Sequence, residues 1–241
     1  MGPTHDASGG ALKGDTHVMI HVRTKIERPP QEIIEAYRGI PTATIHEAGG
    51  RKGYIDSNIR PIAKGMRICG PAFTVLCAPG DNLMLHKALE KAQPGDIIVA
   101  SVGGGYQYGY FGDLMAVSAM ARKVGGLAID GCVRDTDDIA AMGFNVFSRG
   151  YAIRGTVKET LGLVNYPIVF GGHMVNPGDL IVGDEDGMVC VALKDVKDTL
   201  EKSIKRTENE ILKAQVLQTG VSSVKNNKLD VLFEQLGLVE E

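Results

Sequence analysis

The sequence has 241 residues, 44% of them hydrophobic and 23% charged, a length and apolar share that suit one large globular domain and exclude a disordered chain. Its 26 basic and 29 acidic residues leave a net charge of -3 with no basic block, so it has no broad footprint for nucleic acid or an anionic membrane. Glycine is the outstanding deviation: 31 residues, close to twice the usual ~7%, without the Gly-X-Y period of collagen or the serines of a flexible linker.

Taken in chain order, the polar and glycine-rich start reads as a loose tail over residues 1–25, with 26–241 as a single domain. His17 and His21 lie in an alternating run where i, i+4 is not one helix face, so they do not read as a metal pair. Pro29-Pro30 predicts a helix over Gln31 to Tyr37, and Thr42 to Ala48 a second one stopped by Gly49-Gly50. Ile68 to Ala78 reads as strand, Pro79-Gly80-Asp81 opens a helix with Leu83, Leu85, Ala88 and Leu89 inward, and Asp96 to Val102 is the next strand.

The middle of the chain carries the strongest pattern. Gly103 to Gly112 is a glycine and tyrosine loop, after which Asp113 is expected to cap a helix over Leu114 to Lys123 whose small apolar residues imply burial on most sides. Leu127 to Ile129 reads as a short strand, Asp130 to Asp135 as the loop after it, Arg134 to Met142 as a helix and Phe144 to Phe147 as a strand. This alternation predicts an α/β architecture.

Further on, Gln93-Pro94-Gly95-Asp96 and Asn176-Pro177-Gly178-Asp179 repeat one turn leading into a strand. Asp184-Glu185-Asp186-Gly187 is a hairpin turn before it is a metal site. Residues 194–241 form a helical extension: an amphipathic helix over Lys194 to Gln218, with Val196, Leu200, Ile204 and Ile211 on one face, then a shorter one over Leu229 to Leu236. Cys69, Cys77, Cys132 and Cys190 have neither CxxC nor zinc spacing and lie in apolar runs, which suits buried free thiols in a reducing cytoplasm.

Two constellations carry chemistry. Gly112-Asp113-Leu114-Met115 places backbone N–H groups at a helix start beside a glycine, an anion site of carboxylate size; its plainer reading is an ordinary helix cap. Asp130-Gly131-Cys132-Val133-Arg134-Asp135 puts an arginine fork beside a carboxylate, which grips an oxo group and offers Mg²⁺ one oxygen ligand; its plainer reading is a surface ion pair with Asp135 capping the next helix. Together they suit a 2-oxo acid and the stabilisation of its enolate.

These segments, with Thr44-Ile45-His46-Glu47-Ala48, Pro79-Gly80-Asp81-Asn82 and Gly183 to Gly187, resemble the family of 4-hydroxy-4-methyl-2-oxoglutarate and 4-carboxy-4-hydroxy-2-oxoadipate aldolases, which also contains the regulator of ribonuclease activity A proteins. The resemblance runs from about Ile33 to the C-terminus. It implies a β/β/α sandwich like the swivelling phosphohistidine domain, assembled as a homotrimer or homohexamer with active sites at subunit interfaces. It also implies a class II aldolase that needs Mg²⁺ or Mn²⁺, releases pyruvate and decarboxylates oxaloacetate.

Carried over by position, Gly112, Asp113, Leu114 and Met115 match the segment that holds the pyruvyl carboxylate, Arg134 the arginine on the oxo group, and Asp135 the sole direct metal ligand. Asp113 matches the carboxylate that holds metal water; Asn82, His86 and Lys158 match polar and basic pocket residues; Glu47 and Glu210 match acidic residues reaching in from a neighbouring subunit. The alternative is a non-catalytic regulator that binds an RNA-degrading enzyme, against which the long helix and Asp113 speak. Gly171-Gly172-His173 is a faint echo of a phosphohistidine carrier, and His173 reads as structural.

Overall fold

The computed structural model describes residues 19–241. His17, and with it the greater part of the expected tail, lies outside the described residues. The elements in chain order are α1 (Gln31–Tyr37), α2 (Thr42–Ala48), β1 (Arg60–Pro61), β2 (Ile68–Leu76), α3 (Leu83–Lys91), β3 (Ile97–Ser101), α4 (Asp113–Ala121), β4 (Gly126–Val133), α5 (Thr136–Met142) and β5 (Val146–Tyr151). They continue with β6 (Leu163–Val164), β7 (Ile168–Phe170), β8 (His173–Val175), β9 (Leu180–Asp184), β10 (Gly187–Val191), α6 (Val196–Gln218), α7 (Ser223–Asn226) and α8 (Asp230–Gln235).

The result is a mixed α/β fold around one sheet in the order β1-β5-β4-β3-β2-β9-β10, with β6 also on β2. β2, β3, β4 and β5 run parallel, and β1, β6 and β9 add antiparallel to them. Arg60 on β1 donates to the carbonyls of Glu185 and Asp186 in the β9–β10 turn, so the two sheet ends curl toward each other and nearly close a barrel.

Both faces of the parallel strands are buried, which is why they read as unbroken apolar runs. On β3, Ile98 and Ala100 face a core shared with α3, α4 and α5, whereas Ile97 and Val99 face Ile168, Phe170 and Val175 of the separate β7–β8 hairpin. A third core packs Ile34, Tyr37, Ile45, Val196 and Leu200 of α1, α2 and α6 on β9 and β10.

The repeated turn has one physical cause in both copies. Gly95 and Gly178 sit at φ near +87° and +88°, where only glycine is unstrained, and the Asp that follows turns its carboxylate back onto the amide three residues earlier, Gln93 or Asn176. Asp96 is fully buried and also receives both arms of Arg28, at 2.8 Å each. Arg28→Ala would strand that carboxylate; we expect a loss of about 3 kcal/mol, read as a lower midpoint in chemical denaturation.

Several sequence expectations need correction. The N-terminal tail does not extend to residue 25, because Val22 pairs with Val164 and Arg23 stacks on the Tyr166 ring at 3.9 Å. β4 does not stop at Ile129 but runs through Val133, since Arg149 and the Gly171 amide satisfy the buried Asp130 carboxylate and remove the penalty that would end the strand. α4 ends at Ala121 and buries only Met115, Ala116 and Ala119, leaving Leu114, Val117 and Met120 exposed on one ridge. On α6, Val196 and Leu200 are buried but Ile204 and Ile211 are not, because the helix runs past its own core after Ser203. α7 was not anticipated.

All four thiols are buried and free. Burial pushes Cys69 up to about 11 and Cys77 up to about 12, so neither is a nucleophile at neutral pH. Among the described residues, no helix is long and apolar enough to cross a membrane.

Candidate active site

The site is built where the chain leaves β3 and β4 at the same end of the sheet. The segment before α4 runs beside the end of β4: Gly109 bridges Cys132, the Tyr110 amide donates to the Cys132 carbonyl at 3.0 Å, and the Arg134 amide donates to the Phe111 carbonyl at 3.0 Å. This pairing sets Gly112 directly against the side chains that follow β4. A Cβ on Gly112 would collide with Oδ2 of Asp135 and lie 3.2 Å from Nε of Arg134. Its backbone is extended (φ −134°), so glycine is required there by space and not by conformation.

The same contact explains the start of α4. Gly112, not Asp113, is the capping residue, and Asp113 is the first residue of the helix. The Asp113 amide points to Oδ2 of Asp135 at 3.4 Å, whereas the Met115 amide is turned back onto the Gly112 carbonyl at 3.1 Å. Of the first-turn donors, the Leu114 amide is left for an anion, and the Asp113 amide is held only by its long contact with Asp135.

Asp135 stands at the capping position of α5, yet its side chain caps nothing. Its backbone is left-handed (φ 57°), and Oδ2 instead lies 3.3 Å from Nε of Arg134. A carboxylate spared from capping, held in a sparsely populated conformation beside an arginine and a helix start, is placed for a ligand. Among the described residues, no three His, Cys, Asp or Glu side chains converge as a metal cage. The oxygen donors at hand are Asp135 and the neighbouring Asp113, a set that fits a hard divalent ion retaining most of its waters.

The pocket beside this corner has a volume of about 250 Å³ and brings together Asn82, His86, Asp113, Met115, Arg134 and Lys158. Arg134 is the wall between it and a second hollow, lined by Asp135, Thr136, Tyr151 and Ile153. Asn82 is buried, and its Nδ2 donates to the Tyr110 carbonyl at 2.8 Å, which leaves Oδ1 without a partner. Burial, and after it the charge of Lys158, lowers the pKa of His86, so the imidazole is neutral at neutral pH. Gly109, from the glycine and tyrosine loop, also lines the pocket, as do Gly155 and Thr156, which nothing in the sequence marks off from other loop residues.

Glu47 and Glu210 do not join this pocket within one chain. They sit together on α2 and α6, where Arg206 is 2.8 Å from Glu210 and 4.0 Å from Glu47, and Thr44 donates to Glu210 at 3.2 Å. His173 lies in a different groove, with Lys52, Lys194 and Lys202.

The family comparison covers most of the chain. The profile of the RraA-like family, described as Aldolase/RraA, matches residues 32–190. A protein of Halalkalibacterium halodurans, provisionally named 4-hydroxy-4-methyl-2-oxoglutarate aldolase, is 33% identical over 194 residues, or 80% of this chain and 92% of that protein. Among solved structures, Streptomyces coelicolor RraAS2, described as an unusual member of the RNase ES inhibitor RraA protein family, superposes with a TM-score of 0.70 at 27% identity, covering 78% of this chain and 98% of its own. An uncharacterized protein from Pseudomonas syringae shares the fold with a TM-score of 0.72 at 24% identity, over 84% of this chain and 100% of its own. With its family profile spanning the sheet and both loops of the pocket, this chain belongs to the Aldolase/RraA family.

Proposed function

We propose that the protein is a class II, divalent-metal-dependent aldolase that cleaves 4-hydroxy-4-methyl-2-oxoglutarate or 4-carboxy-4-hydroxy-2-oxoadipate to pyruvate and a second 2-oxo acid, and that it decarboxylates oxaloacetate. The observation that carries this reading is the contact of Gly112 with Arg134 and Asp135, which joins the anion-binding helix start to the arginine–carboxylate pair. Support comes also from the name of the Halalkalibacterium relative.

In this reading the Leu114 amide, joined by the Asp113 amide when it leaves its long contact with Asp135, holds the substrate's C1 carboxylate, and Arg134 points its guanidinium at the C2 oxo oxygen. Asp135 would hold Mg²⁺ or Mn²⁺, which when bound supplies Lewis acidity at the oxo group. Asp113 orients the water that takes the proton from the C4 hydroxyl. The C3–C4 bond then breaks, C4 becomes the carbonyl of the departing 2-oxo acid, and the electron pair passes into a pyruvate enolate facing Arg134. Protonation at C3 completes pyruvate. Lys158 and His86, which line the same pocket, receive the distal carboxylate.

The site is open in a single chain: the Arg134 side chain is 47% exposed, and Leu114, Val117, Met120 and Ile153 present apolar surface around it. In the proposed trimeric or hexameric assembly a second copy covers that surface and brings its own Glu47 and Glu210 to the pocket, which accounts for both features. Four buried thiols suit a reducing cytoplasm.

The test is pyruvate release from the two hydroxy diacids and from oxaloacetate, with Mg²⁺ and again with chelator. Metal-dependent release supports the reading; a folded protein that releases none with metal present would favour the regulator. A pH series adds a second check. Because the pKa of His86 lies below its ordinary 6.5, protonation as the pH falls below that ordinary value adds a positive charge beside Lys158 and should lower KM for a dianionic substrate. His86→Gln should flatten that dependence.

A further inference from the structure

Asp81 is buried to 2% exposure although it is a carboxylate outside the pocket lining, and the roles assigned above do not use it. Its Oδ1 accepts from the Leu83 amide at 2.8 Å, at the start of α3. Its Oδ2 accepts from two successive amides of another segment, Glu159 and Thr160, each at 2.7 Å. Burial alone would raise its pKa, but the bonds from Glu159, Leu83 and Thr160 outweigh it and hold the carboxyl below its ordinary range. At neutral pH the group is therefore an anion with three charge-assisted bonds.

The second segment is the stretch between β5 and β6 that carries Thr156 and Lys158. It has no regular structure, and its apolar side chains point outward: Ile153 is 96% exposed, Val157 49% and Leu161 60%. Packing against the core thus cannot fix it. Near Lys158 its attachments are the bridge of Asp81 to Val157, with the Val157 amide on the Gly80 carbonyl and the Asn82 amide on the Val157 carbonyl, and the two bonds to the Asp81 side chain. Those two bonds fall on the residues directly after Lys158. Asp81 also immediately precedes Asn82 and the helix of His86, so one carboxylate ties together the elements that supply three pocket side chains.

We propose that Asp81 is a positioning residue: by holding the amides of Glu159 and Thr160 it places the Lys158 ammonium over α3, at the end of the pocket that takes the distal carboxylate of a 2-oxo diacid. This rests on the aldolase reading for its substrate, but not for the tether itself. Asp81 does not touch the reacting atoms, so it acts on the diacid through Lys158 and not on the enolate end.

Asp81→Asn keeps the shape and removes the charge. In this variant KM for 4-hydroxy-4-methyl-2-oxoglutarate should rise about tenfold with kcat changed less than about threefold. Mg²⁺-dependent exchange of the pyruvate methyl protons with D₂O, which needs only the Arg134 end, should stay within about twofold. In a Lys158→Ala background the same substitution should add no further rise in KM. Should Asp81→Asn not fold, Thr160→Pro replaces it, since it deletes one donor and keeps the carboxylate.

Hydrogen–deuterium exchange over residues 155–161 reads the tether even in a protein without lyase activity, and it should accelerate at least about tenfold in either variant. A protein that neither cleaves nor exchanges pyruvate, yet shows this acceleration, refutes the aldolase reading and leaves the tether standing. Unchanged amide exchange, an equal loss of pyruvate exchange and cleavage, or full additivity with Lys158→Ala would overturn the role of Asp81.

Discussion

Asp135→Ala is expected to lower metal-dependent pyruvate release by about a thousandfold or more and to leave the remaining activity indifferent to Mg²⁺, with the fold retained. The size follows from what the carboxylate touches. It lies 3.3 Å from Nε of Arg134 and also receives the first amide of α4, so its removal takes away the proposed metal ligand and one support of the helix start at once. The fold should survive because the Asp135 side chain makes no capping bond, and α5 is held by Ile139 in the core. Titration of activity against Mg²⁺, beside a thermal melt, checks both halves; metal-dependent activity that persisted would remove Asp135 from the site.

Gly112→Ala is expected to cost about a hundredfold or more in kcat/KM, again with little change in melting temperature. One methyl group is the whole perturbation. It would land on the Asp135 carboxylate and crowd Arg134 at Nε and Cγ, so the arginine, the carboxylate or the start of α4 must shift. The extended backbone at Gly112 accepts alanine without strain, which separates this effect from a conformational one. The readout is kcat/KM with the wild-type assay, together with pyruvate affinity; full activity in Gly112→Ala would show that the two motifs do not act as one site.

Much of this was legible because local signals and tertiary structure agreed. The start of α1 follows from Pro30 ahead of it and the end of α2 from Gly49 after it. The paired turns at Gly95 and Gly178 follow from the Pro-Gly-Asp order, and Glu185-Asp186 does form the two-residue turn between β9 and β10. The alternation of strands and helices was enough for the α/β class.

The errors share a cause: an amino-acid string does not say what lies across a surface. α4 is apolar enough to be a core helix, yet its Leu114, 78% exposed, faces outward beside the pocket. Ile204 and Ile211 continue a helical stripe that has no core beneath it. Asp81 looked like an ordinary turn residue opening α3, because its partners Glu159 and Thr160 are distant in sequence and engage through their backbone, which carries no side-chain signature. For Gly112 the sequence suggested close approach of backbone to a ligand, whereas the structure shows close approach to the side chains of Arg134 and Asp135.

The glycine excess also divides by use. Gly95 and Gly178 serve conformation, whereas Gly112 serves space beside Arg134 and Asp135. Only the second kind bears on the proposed chemistry.

In the proposed function the start of α4, Arg134 and a metal held by Asp135 together stabilise a pyruvate enolate. Exchange of the pyruvate methyl protons in D₂O, followed by NMR with Mg²⁺ and then with excess chelator, tests it without choosing among aldol substrates. Loss of the methyl signal is expected with metal, its preservation with chelator, and no exchange in Asp135→Ala. A folded wild-type protein that leaves the methyl signal intact with both Mg²⁺ and Mn²⁺ present would contradict it.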